Sequence, residues 1–196
     1  MNPKLLLPAG AAVAVLAIAG CGGGSSSKSS SNASKPAPTT GKEVSPSGDI
    51  PDNQAYVAYK GPGGYSVKVP EGWSRTSAGG AVTFSDKLNS ITVESKSGGA
   101  QPTPASAKQT LVPALTKKGY KITSVTVVPR KAGKAVLIKY QAPGKPNPVT
   151  GKKVTDSVEE YVFFKNGKQV ILTLSGPTTA DNVDPWKLVS NSLQVQ

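Results

Sequence analysis

The sequence contains no histidine, a single cysteine and a single methionine, and aromatic residues make up only 6% of it. Without histidine there is no Ser-His-Asp or Cys-His nucleophile system and no histidine-ligated zinc. There is also no imidazole to titrate between about pH 5 and 8. The lone thiol, Cys21, rules out a disulfide within the chain and any cysteine cluster that could hold a metal. A G-x-S-x-G elbow, a Walker A loop and an EF-hand loop are all missing. Acidic residues are scarce too: none occurs between Ser95 and Thr155, and the whole chain carries a net charge of +12.

What is present begins with an export signal. Met1-Asn2-Pro3-Lys4 supplies one positive charge, and Leu5–Gly20 then carries no charged or strongly polar side chain. A charged start, an apolar run and small residues before a cut describe a secretory signal peptide, here 1–20. The run is shorter than the roughly 20 apolar residues needed to cross a bilayer, so a retained membrane helix is the weaker alternative. Ile18-Ala19-Gly20-Cys21 resembles the lipobox of bacterial lipoproteins. That resemblance implies that Cys21 becomes the lipidated first residue of the mature chain, on the extracytoplasmic face of a cell membrane. Two or more acyl chains anchor stably where one does not.

Residues 21–53 read as a tether. Gly22 to Ser31 is glycine, serine and one lysine, and Lys35 to Thr40 is rich in proline and threonine. Such a composition buries too little apolar surface to offset the entropy of ordering. About 30 residues of this kind form a coil spanning about 30 Å. Ser25 to Lys28 matches S-x-x-K, but without companion motifs in a low-complexity tract the match carries no chemistry.

Residues 54–196 suffice for one core. Tyr65–Val69 alternates apolar and polar, and Tyr56–Lys60 is expected to pair with it across Gly61-Pro62-Gly63-Gly64. Ala81–Ser85 and Ser90–Ser95 form the next pair, turning at Asp86–Asn89. Pro104–Lys118 is a helix, capped by Thr103 and ended by Gly119. Pro113 should bend it or split it in two. Ile122–Val128 and Ala135–Gln141 are long strands. Val154–Phe164 and Lys168–Leu174 flank Asn166-Gly167, a strong hairpin signal because both positions tolerate positive φ. Asp184-Pro185 is expected to cap and open a last helix, with Trp186, Val189 and Leu193 on one face. The expected class is α+β: an antiparallel β-sheet with helices packed on it.

Tyr65–Trp73, Phe84-Ser85-Asp86, Asn89–Val93 and the ending from Asp184-Pro185-Trp186 to Ser192 resemble PsbP-like domains. The likeness covers about Ala55 to Leu193. It implies the α+β fold just described and roles in binding or assembly, with no shared reaction. Metal sites in plant members use histidines, so none is carried over to this chain.

The remaining chemistry is thin. Asp156 and Glu160 share a strand face but lie about 13 Å apart at roughly 3.3 Å per residue. Glycosidase pairs need about 5–5.5 or 6.5–9.5 Å. Tyr65, Trp73, Phe84, Tyr161 and Trp186 could line a pocket, but core packing is the expected use. No residue is assigned a catalytic, metal or cofactor role. The lysines are more unusual. The tether is neutral, with Lys28, Lys35 and Lys42 against Glu43, Asp49 and Asp52, so the excess charge falls on the domain. Lys117, Lys118, Lys121, Arg130, Lys131, Lys134, Lys152 and Lys153 form a candidate surface for an anionic partner. Anionic lipid, an envelope polymer or an acidic protein would fit. Nucleic acid would not, for an exported chain whose cations are almost all lysine. Lysines that merely keep strand edges soluble are the equal alternative. The function this favours is a membrane-anchored, non-catalytic binding or assembly module. The alternative is a small-ligand carrier with an apolar pocket of about 300 Å³ or more. An envelope hydrolase, which would need two converging carboxylates, ranks last.

Overall fold

The structure, a computed structural model, describes residues 46–196. The signal peptide, Cys21 and the tether up to residue 45 lie outside the described residues.

The chain opens with a hairpin, β1 (Tyr56–Gly61) and β2 (Tyr65–Pro70), paired across the expected glycine turn. Gly61 is needed there because a Cβ would run into the Tyr65 ring. A meander follows: β3 (Ser74–Ala78), β4 (Ala81–Asp86) and β5 (Asn89–Ser97). Helix α1 (Pro104–Lys117) leads to the hairpin β6 (Lys121–Arg130) and β7 (Gly133–Pro143). A second hairpin, β8 (Thr155–Lys165) and β9 (Lys168–Pro177), turns at Asn166 and Gly167 with φ of 53° and 71°. These angles are the left-handed pair that the dipeptide was expected to supply. Helix α2 (Val183–Ser192) and the two-residue β10 (Gln194–Val195) close the chain.

Two sheets form rather than one. The long sheet runs β3-β4-β5-β9-β8-β7-β6, and the small one runs β1-β2-β10. One face of the long sheet contributes Phe84, Ile91, Leu137, Tyr161, Phe163, Leu172 and Leu174 to a core shared with Tyr65, Val67 and Val69 of the small sheet. Trp186, Val189 and Leu193 of the α2 segment complete that core. The other face contributes Val136, Ile138, Tyr140, Val158 and Val162 to a core with Ala107 and Leu115 of α1. The long sheet is therefore covered on both sides. This is why Ala135–Ile138 of β7 is buried without a break, where a strand with one wet face would alternate.

Four expectations are corrected. Helix α1 runs unbroken through Pro113, so it is not split in two. The proline sits on the exposed side of the helix, where water can satisfy the carbonyl it leaves free. The Thr103 cap forms a reciprocal pair with Ser106, which anchors the first turn. At α2 the cap residue is Asn182, not Asp184, and its side chain makes no capping bond because it is engaged elsewhere. Strand β3 has no counterpart in the expected elements. Every residue in it is exposed, and it is held by backbone pairing to β4, so it has no apolar signature. Finally, the packed chain starts ahead of residue 54. Ile50 is 4% exposed within the core, and its N–H donates to Asn182 Oδ1.

The two edges of the long sheet differ. β3 is short and polar. β6 is long, but it holds Pro129 and a register shift between Ile122 and Ser124 that leaves Thr123 unpaired. A proline and a bulge both discourage another strand from pairing there.

Candidate functional site

A groove runs along α2, over β6, β7 and β8. Two recesses of about 290 and 410 Å³ share Lys139, Glu159 and Val183 in their lining. The sheet supplies the floor because alternate residues of β7 and β8 (Leu137, Lys139, Ser157, Glu159, Tyr161) point to the α2 side. Trp186, Val183 and Lys187 form the α2 wall, and Pro177 and Asn182 close one end.

The floor carries a connected polar chain. Lys139 Nζ lies 2.6 Å from Glu159 Oε1. The Tyr161 hydroxyl donates to Glu159 Oε2 at 2.5 Å and accepts from Arg130 Nη2 at 3.0 Å. Arg130 Nε donates to Ser190 Oγ of α2 at 2.9 Å, and the guanidinium lies 5.0 Å from the Tyr161 ring centre. Burial pushes the Tyr161 phenol up, the neighbouring Glu159 adds to this, and the bonds from Ser190 and Arg130 oppose it. Tyr161 is 1% exposed and Ser190 is fully buried. Neither is placed to attack a substrate. The ionisable side chains of the groove floor thus form one connected chain from Lys139 to Ser190.

The carboxylates do not converge on this groove. Glu159 alone among the acids lines it. Glu160 points to the opposite face, 3.4 Å from the Tyr140 hydroxyl that donates to it, and burial pushes its pKa up. Asp156 is buried near the start of β8. Its Oδ2 accepts from Ser175 Oγ at 2.8 Å, and its Oδ1 has no partner among the described residues. No group of three or more Cys, Asp or Glu among the described residues is arranged to hold a metal. The larger aromatics lie where packing was expected to put them. Tyr65, Phe84, Tyr161 and Trp186 are buried, and Trp73 packs against the same core. Of the lining expected for a carrier, the groove has valine, tyrosine and tryptophan but no phenylalanine, and the Lys139–Glu159 ion pair lies in it.

Asp156 gives a pH dependence. Burial raises its pKa, against the smaller opposing effects of the Ser175 bond and Lys145. A carboxyl whose folded pKa exceeds its unfolded value favours folding fully only below the unfolded value, and that contribution is lost as pH rises through the folded value. Asp156→Asn should therefore raise the urea midpoint at about pH 7, with the gain shrinking toward about pH 4. Equal gains at both pH values would show that the charge is not what the site resists.

The eight cations proposed for an anionic partner do not form one surface. Arg130 is turned inward, its planar fork fitted between the Tyr161 ring and Ser190, and so is not a free surface charge. Lys131 and Lys134 flank the β6–β7 tip. Lys117, Lys118, Lys121, Lys152 and Lys153 are exposed at the opposite end of the long sheet, where α1 finishes, β6 begins and the 144–154 loop joins β7 to β8. The ten-residue β6 separates the two groups by about 30 Å. The Lys139–Glu159–Tyr161–Arg130 chain was not anticipated. Its only sequence signal is that Lys139, Glu159 and Tyr161 occupy inward positions on strands that pair.

An antiparallel long sheet lies between one helix on one face and a small sheet plus a second helix on the other, an α+β domain. The solution structure of cyanobacterial PsbP (CyanoP) from Synechocystis sp. PCC 6803 matches with a TM-score of 0.53 at 14% identity, over 73% of this chain and 94% of that one. The Ran-binding protein Mog1p of Saccharomyces cerevisiae gives 0.49 at 11% identity, over 72% and 96%. A Bacteroides thetaiotaomicron crystal structure gives 0.47 at 13% identity, over 71% of this chain; the chain spans about half the length of that protein, 48%. No protein-family model and no curated protein matches the chain. At these identities the likeness to CyanoP concerns the fold alone.

Proposed function

We propose that this protein is a lipid-anchored component of a bacterial envelope, held by Cys21 on the extracytoplasmic face of a membrane, and that its domain is a non-catalytic binding module. One observation carries the second half. In the groove along α2, the ionisable side chains of the floor are linked to one another: Lys139 to Glu159, Glu159 to Tyr161, and Tyr161 to Arg130. A site built for acid–base or nucleophilic chemistry keeps such a group free to meet its substrate. A saturated floor beside the exposed Val183 of α2, 71% accessible, suits contact with a partner protein. The anchor is supported by the sequence pattern around Cys21, and the module by the CyanoP-like fold.

Photo-crosslinking in cells tests both halves. With a photoreactive residue at Val183, the native chain is expected to sediment with membranes after a high-salt wash and to capture a discrete protein. Cys21→Ser should abolish membrane retention and reduce capture. Retention of Cys21→Ser would remove the anchor, and turnover of an envelope substrate by the purified protein would remove the non-catalytic reading.

A further inference from the structure

We propose that the 144–154 loop is a membrane-contact loop that seats the domain on an anionic bilayer. The loop is a built turn rather than a slack connection. Asn147 organises it: its Oδ1 accepts from the N–H groups of Val149 and Thr150 at 2.9 and 3.0 Å. Its backbone N–H donates to Lys152 O, and its carbonyl accepts from Gly151 N–H. Gly144 N–H donates to Val154 O and closes the base. This scaffold presents Val149 at 91% exposure, the most exposed large apolar side chain among the described residues. Lys145, Lys152 and Lys153 lie within the same short loop. Lys117, Lys118 and Lys121 stand at the same end of the sheet, since Lys121 pairs with Gln141 and Pro143 pairs with Thr155.

An apolar tip ringed by lysines matches the layering of an anionic membrane surface. The side chain reaches the acyl boundary while the ammonium groups meet phosphate. A soluble polyanion would use the lysines but leave Val149 without a role, which is why a bilayer is the partner we infer. Pro46, Ser47 and Gly48 share a recess with Pro148 and Val149. Asp49 and Asp86 also line that recess, so the contact is confined to the loop and the end of α1. This proposal takes only its setting from the Cys21 anchor.

The test uses the processed full-length protein carrying Val149→Cys, whose new thiol takes an environment-sensitive dye while Cys21 is occupied by lipid. The vesicles are phosphatidylcholine alone, or phosphatidylcholine with an equal part of phosphatidylglycerol, each with and without brominated acyl chains. The expected result is a blue shift and bromine quenching in the anionic vesicles only, both reversed by high salt. The same dye placed through Lys134→Cys, at the far end of the sheet, should stay aqueous. Replacing Lys145, Lys152 and Lys153 by Gln should lower the ratio of bilayer-seated to aqueous loop, read by the dye at low salt, about a hundred-fold. The dye reports the loop separately from the anchor, which is read by retention after the salt wash. An aqueous signal at position 149 in anionic vesicles would overturn the proposal whether or not the protein is retained. So would an equal response at position 134, or a response to a soluble polyanion as large as that to the bilayer.

Discussion

Asn182→Ala should lower the stability of the domain by about 2–4 kcal/mol, a large fraction of what a domain of this size possesses. Asn182 is 4% exposed, and two separated parts of the chain meet on its side chain. Its Oδ1 accepts from Ile50 N–H at 2.9 Å, and its Nδ2 donates to Gly48 O and to Asn89 Oδ1, both at 3.1 Å. Asn89, itself 5% exposed, donates in turn to Gly48 O at 2.8 Å. Alanine would therefore leave Gly48 O still served but strand the Ile50 N–H and the Asn89 carbonyl oxygen, each a buried polar group without a partner. Asn182→Asp should cost more, because a carboxylate cannot donate and would face two oxygens. Urea unfolding measures the total. Amide exchange at Ile50 localises it, since the 46–53 segment should open first. If Asn182→Ala unfolds at the native midpoint with Ile50 still protected, the two asparagines do not hold that segment. Gly176 belongs to the same lock, because a Cβ there would collide with Asn89 Oδ1.

This lock shows what a sequence displays and what it conceals. The Asn166-Gly167 turn, the β1–β2 hairpin and the Thr103 cap could be read from the sequence because each is decided within a few residues by backbone preference. So could the apolar faces of β2, β4 and β9, where burial imposes a period of two. Asn89 and Asn182 lie 93 positions apart, and nothing local distinguishes them from the asparagines that end helices and turns. Asp184-Pro185 offers a good local cap, yet the helix starts earlier because Asn182 is fixed by its tertiary bonds. Strand β3 was invisible for the opposite reason: a fully exposed edge strand needs only a paired backbone, so its side chains carry no pattern. The groove stands between these cases. Its floor residues were legible as inward positions, but the pairing of Lys139 with Glu159 depends on the β7–β8 register, where the two are direct partners.

The largest change at the groove itself is expected from Arg130→Ala, about 2–4 kcal/mol of stability, against a change within about 0.5 kcal/mol for its neighbour Lys131→Ala. Charge alone would predict equal effects, because both are cations at the β6–β7 tip. Geometry separates them. Lys131 is exposed and makes no ion pair among the described residues. Arg130 joins three elements at once: it donates to Ser190 of α2 at 2.9 Å, donates to the Tyr161 hydroxyl of β8 at 3.0 Å and lies over the Tyr161 ring. Charged donors to buried hydroxyls contribute about 1.5–3 kcal/mol each, and a partly desolvated cation–π contact about 1–2, and these do not add fully. No buried donor is orphaned, because Tyr161 still donates to Glu159 and Ser190 still donates to Lys187 O. The expected loss therefore sits below the simple sum. Arg130→Lys should recover less than half, since an ammonium cannot supply the fork or the flat stacking surface. A second readout distinguishes this network from general loosening. Arg130 holds the Tyr161 phenol down against burial and Glu159, so its removal should push one phenol transition to still higher pH in an ultraviolet titration. If Arg130→Ala and Lys131→Ala unfold at the same denaturant concentration, Arg130 is a surface charge after all. The groove would then lose the clamp between α2 and the sheet.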